Sequence, residues 1–509
     1  MTWVQPQIAC RFLGGQYWSV LITALVMGVL TPGCISAAQA QGTPYCQQLT
    51  QAIAQKDTLR KAAIQGNKDA QAKYKTILAK HATALAQCRR QNWPQNQGIW
   101  IRLYPCDARP GALEAVLDKI VNRGYNQIYV EVFYNGKVLL PANRNPTPWP
   151  AVLQGSGWDN VDLLDQVIRK GRERGLKVQT WLFSLNFGAN YVRRIDRQAT
   201  IARNGLGQTS LTASTIAGLS VDLGVGNPDE AFIDPYSAQA RVDYTDLVRA
   251  FSRYKPDGML FDYIRYPRGS GTASVASKVQ DLWVYGEASQ RSLLQRALNY
   301  KGMELIQRFL SKGFLTADDL KASNSLHPNE QEPLWQGRDP ARIAANLPLK
   351  QKLALLKSEL WQLAVAHASQ GVVDFLVAAI NSVESQGIPA GAVFFPDGNA
   401  SVGQGFDSRL QFWERFPRNA DWHPMAYATC GKTSCIMQQI QRVLQQAPAG
   451  VQVQPVLAGI WQRSAGNRPP LEAQMQALYQ MAPSLTSVSH FAYSWQEPGS
   501  DRDRKYCSK

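Results

Sequence analysis

In the stretch Asp257-Gly-Met-Leu-Phe-Asp-Tyr-Ile-Arg-Tyr-Pro267, a carboxylate and a guanidinium follow directly on an apolar run. Gly258 to Phe261 is long enough for one buried strand. Asp262 and Arg265 stand where it stops, among Tyr263, Tyr266 and Pro267. In an α/β barrel, chemistry is done at the carboxyl ends of the parallel strands. Sugar sites combine flat apolar faces with a few polar groups. The same residues also admit a structural role, with Asp262 capping a loop and pairing with Arg265.

Glycoside hydrolysis uses two carboxyl groups, one donating a proton to the leaving oxygen and the other attacking the sugar or activating water. The acids at predicted strand ends are Glu131 in the second strand, Asp262 after the fourth, Asp397 after the fifth and Glu497 after the eighth. Asp262 is assigned as nucleophile or base and Asp397 as acid because they end successive strands; Glu497 is the reserve acid. Arg265 is expected to keep Asp262 ionised. Phe394 and Phe395 are expected to keep a proton on Asp397 by desolvation. Trp181, Tyr263, Trp422, Tyr427 and Trp495 are expected to stack on sugar rings, and His423, Asn186 and Tyr134 to bond hydroxyls. Glu131 faces substrate or is a core acid paired with Arg102 or Arg265. Asp234 reads as an N-cap or Asx turn.

Other chemistries lack their residues. The five histidines form no H-E-x-x-H, so catalytic zinc is not expected. There is no G-x-S-x-G elbow, and the acid-rich Asp222 to Asp234 stretch lacks the spacing of a known calcium loop. No metal and no cofactor are expected.

Eight predicted strands must position these groups: Ile99–Leu103, Gln127–Phe133, Lys177–Phe183, Gly258–Asp262, Ala392–Phe395, Asp421–Ala426, Gln452–Leu457 and Val488–Tyr493. Helices are predicted between them, over Gly111–Arg123, Val161–Arg174, Ala238–Tyr254, a long stretch from Lys278, Asp407–Arg415, Ser434–Gln446 and Pro470–Met481. The alternation and the count of eight predict an α/β fold, a (β/α)8 TIM barrel over residues 98–509. A helical insertion spans about 268–389, leaves from the active-site end and could roof the cleft. Trp283, Trp335 and Trp361 read as its core.

The motif Phe261-Asp-Tyr-Ile-Arg-Tyr-Pro267 resembles the strand-end signature of the glycosyl hydrolase-like family ten barrels, bacterial envelope proteins. Gly98-Ile-Trp-Ile-Arg102, Asn126 to Phe133, Val178-Gln-Thr-Trp-Leu182, Phe232-Ile-Asp-Pro235 and Trp422-His-Pro-Met-Ala-Tyr427 match in the same order. The resemblance covers roughly Gly98 to Gln496 and implies a glycan substrate. Its pattern often has a second Asp after the first, where this chain has Tyr263.

Residues 41–97 are predicted to form a separate helical hairpin and linker. Tyr74, Ile77, Leu78, His81, Leu85 and Cys88 recur at helical spacing, and Gly66-Asn67 makes the turn. The hairpin carries nine Lys and Arg (Lys56, Arg60, Lys61, Lys68, Lys73, Lys75, Lys80, Arg89 and Arg90) against Asp57 and Asp69, in a chain of net charge +16. It is either a solvated face or a basic arm for an anionic polymer or membrane surface.

Trp18 to Leu30 is apolar apart from Ser19, Thr23 and Gly28, and Ala38-Gln-Ala40 follows as an A-x-A site. Residues 1–40 are therefore expected to be a signal peptide, a lipoprotein on Cys34 being the alternative. Export argues against a nucleic-acid partner. Removing Cys10 and Cys34 leaves six of eight cysteines, an even number that reads as disulfides. Closure of a barrel makes its first and eighth strands neighbours, so Cys106 is expected to pair with Cys507. Cys430 and Cys435 bracket one loop, and Cys46 and Cys88 meet at the open end of the hairpin. The expectation is an exported glycoside hydrolase acting on an envelope or extracellular polysaccharide, peptidoglycan strands included. The alternatives are a glycan-binding barrel without catalysis and an envelope scaffold.

Overall fold

The structure, a computed structural model, describes residues 45–155, 157–212, 229–342 and 347–507. The expected signal peptide, with Cys10 and Cys34, and Asp222 lie outside them.

Eight parallel strands close into a barrel: β1 Asn96–Arg102, β2 Gln127–Tyr134, β3 Lys177–Phe183, β4 Gly258–Asp262, β5 Ala390–Phe394, β6 Asp421–Ala426, β7 Val456–Ala458 and β8 Ser487–Phe491. The closing pairs are β1 with β2 and β1 with β8, in registers such as Arg102 with Glu131 and Gln97 with Val488. Both faces of these strands are covered, which is why they read as apolar runs rather than alternating ones. The interior is filled: Trp100 stacks on Tyr129 at 4.5 Å and meets Trp181 edge-on at 5.0 Å. Two glycines make room for this filling. A Cβ on Gly98 would lie 2.4 Å from the Tyr129 ring, and one on Gly391 2.9 Å from His423 Nε2.

The hairpin is α1 Thr50–Ile64 and α2 Lys68–Gln91, joined by Gly66 and by Asn67, whose side chain accepts from Ala70 N. Around the barrel lie α3 Ala112–Asn122, α4 Leu163–Arg172, α5 Ala238–Ser252, α6 Leu349–Glu384, α7 Thr433–Gln446 and α8 Leu471–Met481. In α3, Leu113, Val116, Leu117, Ile120 and Val121 form the buried stripe of an amphipathic helix. Helix α6 is long and apolar enough to cross a membrane, but most of its apolar length is buried inside this chain.

Two expectations need correction. No α-helix occupies Asp407–Arg415. Gly405–Asp407 instead joins Val275–Ala276 and Ser401–Val402 in a small antiparallel sheet, and only Trp413–Arg415 makes a 3-10 turn. Asp407 accepts from the backbone N–H and the guanidinium of Arg409, a local bonding pattern that competes with helix.

The hairpin, moreover, is not an independent element. Arg89 is buried and donates to the carbonyls of Tyr45, Pro94 and Gly124 and to Gln97 Oε1. Arg60, Tyr74 and Arg174 converge on the buried carboxylate of Asp118 in α3. Lys56 is buried, and desolvation pulls its ammonium down to about 8. Part of what looked like a basic surface is thus the seam that fastens the hairpin to the barrel.

Disulfides join Cys46 to Cys88, Cys106 to Cys507 and Cys430 to Cys435. The second ties the helix α9 Pro498–Tyr506 to the turn after β1, where Arg504 also forms a bidentate pair with Asp107.

Candidate active site

Strand register builds the mouth of the barrel. Arg102 pairs with Glu131, Glu131 with Trp181, and Trp181 with Leu260; Asp262 stands one same-facing position beyond Leu260. Trp181 Nε1 donates to Asp262 Oδ2 at 3.1 Å, and the backbone N–H of Tyr263 donates to Oδ1 at 2.6 Å. Asp262 is 5% exposed. Burial pushes its carboxyl up to about 6, against the lowering pull of the Tyr263 N–H, the Arg265 charge and the Trp181 bond, while the charge of Glu131 adds to the rise. The Arg265 charge favours the ionised carboxyl, in the expected direction, but burial outweighs it. The guanidinium donates to Tyr266 O and lies over the rings of Tyr263, Phe232 and Phe395, at 4.5, 5.6 and 5.8 Å, and so acts on Asp262 only as a nearby charge.

Tyr263 takes a left-handed backbone conformation, φ 52°. Its ring lies 4.1 Å from that of Phe183, and its hydroxyl donates to Glu230 Oε1 at 3.1 Å. Glu230 comes from the segment between β3 and α5. Its carboxyl is raised by burial, with the Arg265 charge and the Tyr263 hydroxyl opposing. A second carboxyl thus reaches the place where Tyr263 stands in the motif. Sequence reasoning missed Glu230 as a site residue; its signal was the acid-rich stretch ending at Asp234.

Tyr427 completes the cup. It is 8% exposed, with ring centroids 5.7 Å from Phe491 and 6.3 Å from Phe395. Burial first, and then the Asp262 charge, raise its hydroxyl well above 10. Trp495 packs edge-on against Phe491 at 6.0 Å, and Phe491 lies 6.3 Å from Trp181. Trp181, Tyr263, Tyr427 and Trp495 are therefore connected to Asp262 through one set of ring contacts and hydrogen bonds.

The remaining expected residues stand elsewhere. Asp397 is half-exposed and pairs at 3.1 Å with the buried Arg409, so it lacks the desolvated surroundings expected of an acid. Glu497 binds Arg123 and Lys119 at the end of α3, in the helical layer. Glu131 is buried and held by Arg102, whose Nη2 lies 3.0 Å from Oε1; Arg102 itself spreads over the Tyr134 ring at 4.2 Å. Burial raises the Glu131 carboxyl against the pull of Arg102. Tyr134 donates its hydroxyl to Leu103 O. Trp422 is wholly buried between Phe394 and Trp413 and offers no stacking face. His423 lies in the filled interior between Trp100 and Tyr129, and burial lowers it to about 3, so it is a neutral core histidine. Asn186 Oδ1 accepts from the N–H groups of Gly188 and Ala231 and fastens the loop that leads from Ala231 to Asp234. Asp234 makes an Asx turn with Tyr236 N and accepts from Ser289 N of the insertion.

One pair outside the mouth looks catalytic and is not. Ser289 Oγ lies 3.0 Å from His367 Nε2, but Arg296 Nε donates to His367 Nδ1 at 3.0 Å. The proton of the neutral ring must then sit on Nε2 and point at the serine, so the imidazole cannot act as its base.

The fold and the mouth define a (β/α)8 barrel with carboxyl groups in an aromatic cup at the carboxyl ends of its strands. No protein-family profile and no curated protein matches the chain. Solved structures do. The glycoside hydrolase domain of PgaB (BpsB) from Bordetella bronchiseptica is 14% identical, with 80% of this chain and 98% of that one covered at a TM-score of 0.45. An exo-β-N-acetylglucosaminidase of family GH20 from Vibrio harveyi is 6% identical, with coverages of 78% and 50% and a TM-score of 0.39. A β-N-acetylhexosaminidase from Bacteroides fragilis is 9% identical, with coverages of 79% and 61% and a TM-score of 0.39. These structural neighbours are glycoside hydrolases.

Proposed function

We propose that the chain is an exported glycoside hydrolase acting on an envelope or extracellular polysaccharide, with Asp262 as the proton-carrying carboxyl and Glu230 as its partner. The observation that carries this is the setting of Asp262: a buried carboxyl at the end of β4, raised to about 6, held by Trp181 and surrounded by aromatic rings. A carboxyl that titrates near neutrality can hold a proton for the leaving oxygen and take one back. Glu230 is given the ionised role, attacking the sugar or activating water: burial raises its carboxyl too, while the Arg265 charge and the bonded Tyr263 hydroxyl favour its charged form. The three disulfides are compatible with export. The test is incubation of the full chain with peptidoglycan strands and exopolysaccharides, followed by measurement of new reducing ends. Their absence across the panel would sink the proposal.

A glycan-binding barrel without catalysis is the second reading. It is favoured by the fact that both oxygens of Asp262 already accept a protein donor. On that reading glycans bind and no reducing ends appear.

A further inference from the structure

A cavity of about 370 Å³ lies against the segments that leave the mouth of the barrel. One wall is Pro267, just after Arg265, and another is Ser408, just before Arg409. The guanidinium carbons of these two arginines lie 5.8 and 4.6 Å from the ring of Phe395. A third wall is Gln208, close in sequence to Ser210, whose hydroxyl donates to Glu230 O. Leu206, Ser277, Lys278 and Asp281 line this cavity and also a larger space of about 1080 Å³ over the helical insertion. The two therefore form one groove that starts beside the Asp262 mouth.

The local sequence turns aromatic rings into this groove. In α6, Leu356, Leu360, Leu363 and Ala364 form the buried stripe, and Ala354, Lys357, Ser358 and Trp361 repeat at helical spacing on the adjoining face. Trp361 is only half-buried, unlike Trp335 in the core of the insertion. In the strand Gly405–Asp407 the two ends are buried and Phe406 points the other way. The rings of Trp361 and Phe406 have centroids 6.4 Å apart and planes inclined by 32°, and Phe412 backs Phe406 at 5.7 Å. Gln362, Gln404 and Lys357 are exposed along the same groove. Flat apolar faces with donors and acceptors at their rim are what a sugar ring needs. The larger space alone reaches the top of the range, about 300–1,000 Å³, that serves a drug-sized ligand, so it has room for more than one sugar ring. Its continuity with the mouth selects a chain that also enters the mouth rather than a separate ligand.

We infer that this groove is a distal tract for a polysaccharide chain whose end or middle lies at Asp262, with Trp361 and Phe406 as the platform for a sugar ring. The inference rests on reading the Asp262 mouth as a glycan site. It adds a substrate class to that reading: long chains rather than short oligosaccharides.

The test is calorimetric titration of the full chain with peptidoglycan strands and exopolysaccharides, each as long chains and as disaccharide fragments. At least one glycan should bind more tightly as a long chain than as its fragment. Trp361→Ala should weaken that long chain roughly tenfold more than the fragment, the loss expected for truncating one aromatic anchor. Ala354→Trp fills the groove from an exposed position without removing a buried side chain, and should act in the same direction; it carries the test if Trp361→Ala does not fold. Equal binding of long and short forms of every glycan, or no binding of any, would overturn the tract. So would a long-chain preference that survives both substitutions, or a loss that falls equally on the fragment. The reducing-end assay separates the two proposals. A long-chain preference lost in the variants, without cleavage by the parent chain, leaves the tract and removes the hydrolase. Cleavage that is indifferent to chain length and to both substitutions does the reverse.

Discussion

The indole N–H of Trp181 is bonded to Oδ2 of Asp262 at 3.1 Å, from the neighbouring strand of the barrel. The bond stabilises the ionised carboxyl and opposes the burial that raises it to about 6. If the protonated form is the active acid, kcat/KM falls as pH rises through about 6. Trp181→Phe removes the donor, so the carboxyl holds its proton to higher pH. The descending limb of the pH–rate profile should move upward. A limb that stays put, or moves down, contradicts the role given to Asp262.

Glu230 reaches the site through the Tyr263 hydroxyl. Glu230→Gln should lower kcat by about two orders of magnitude, the low end for a positioned acid–base group. Tyr263→Phe keeps the ring against Phe183 and frees Glu230, so its loss should be smaller. Steady-state kinetics on both variants checks the order; a silent Glu230→Gln removes it from the mechanism.

Arg89 has its guanidinium bonded to three backbone carbonyls and one amide oxygen in a buried setting. Arg89→Ala leaves these acceptors without a donor, at about 1–3 kcal/mol for each buried group that water cannot reach. A loss of at least about 3 kcal/mol is expected in denaturant unfolding. An unchanged midpoint would mean that the hairpin contributes nothing to barrel stability.

The disulfides should differ in value. Cys106 and Cys507 are 401 residues apart, whereas Cys430 and Cys435 are 5 apart. Cross-linking a longer loop restrains the unfolded chain more. Cys507→Ser should therefore lower Tm more than Cys435→Ser, and calorimetry of the two variants decides it.

The barrel was legible because eight short apolar runs alternate with helical segments, and closure brought Cys106 towards Cys507. The site was legible only in part. Asp262 could be picked out because it ends an apolar run. Glu230 could not, because it arrives on a segment without periodicity and is placed by a hydroxyl two elements away. Asp397 looked desolvated beside Phe394 and Phe395 until Arg409 folded back onto it. Trp422 and His423 sit at one strand end and face opposite ways, yet both are buried, because a filled barrel hides the inner face of its strands as well as the outer. The basic residues of the hairpin could be counted in sequence, but not sorted into surface charge and buried fastening.

The most direct test of the account is Asp262→Asn, assayed together for reducing ends, glycan binding and thermal melting. The substitution keeps the shape and removes the titrating proton. Cleavage should fall at least about a hundredfold while binding persists and the protein stays folded. Near-normal cleavage by the variant would contradict the account, and parallel losses of melting temperature and activity would make Asp262 a support for the strand end rather than a participant in the chemistry.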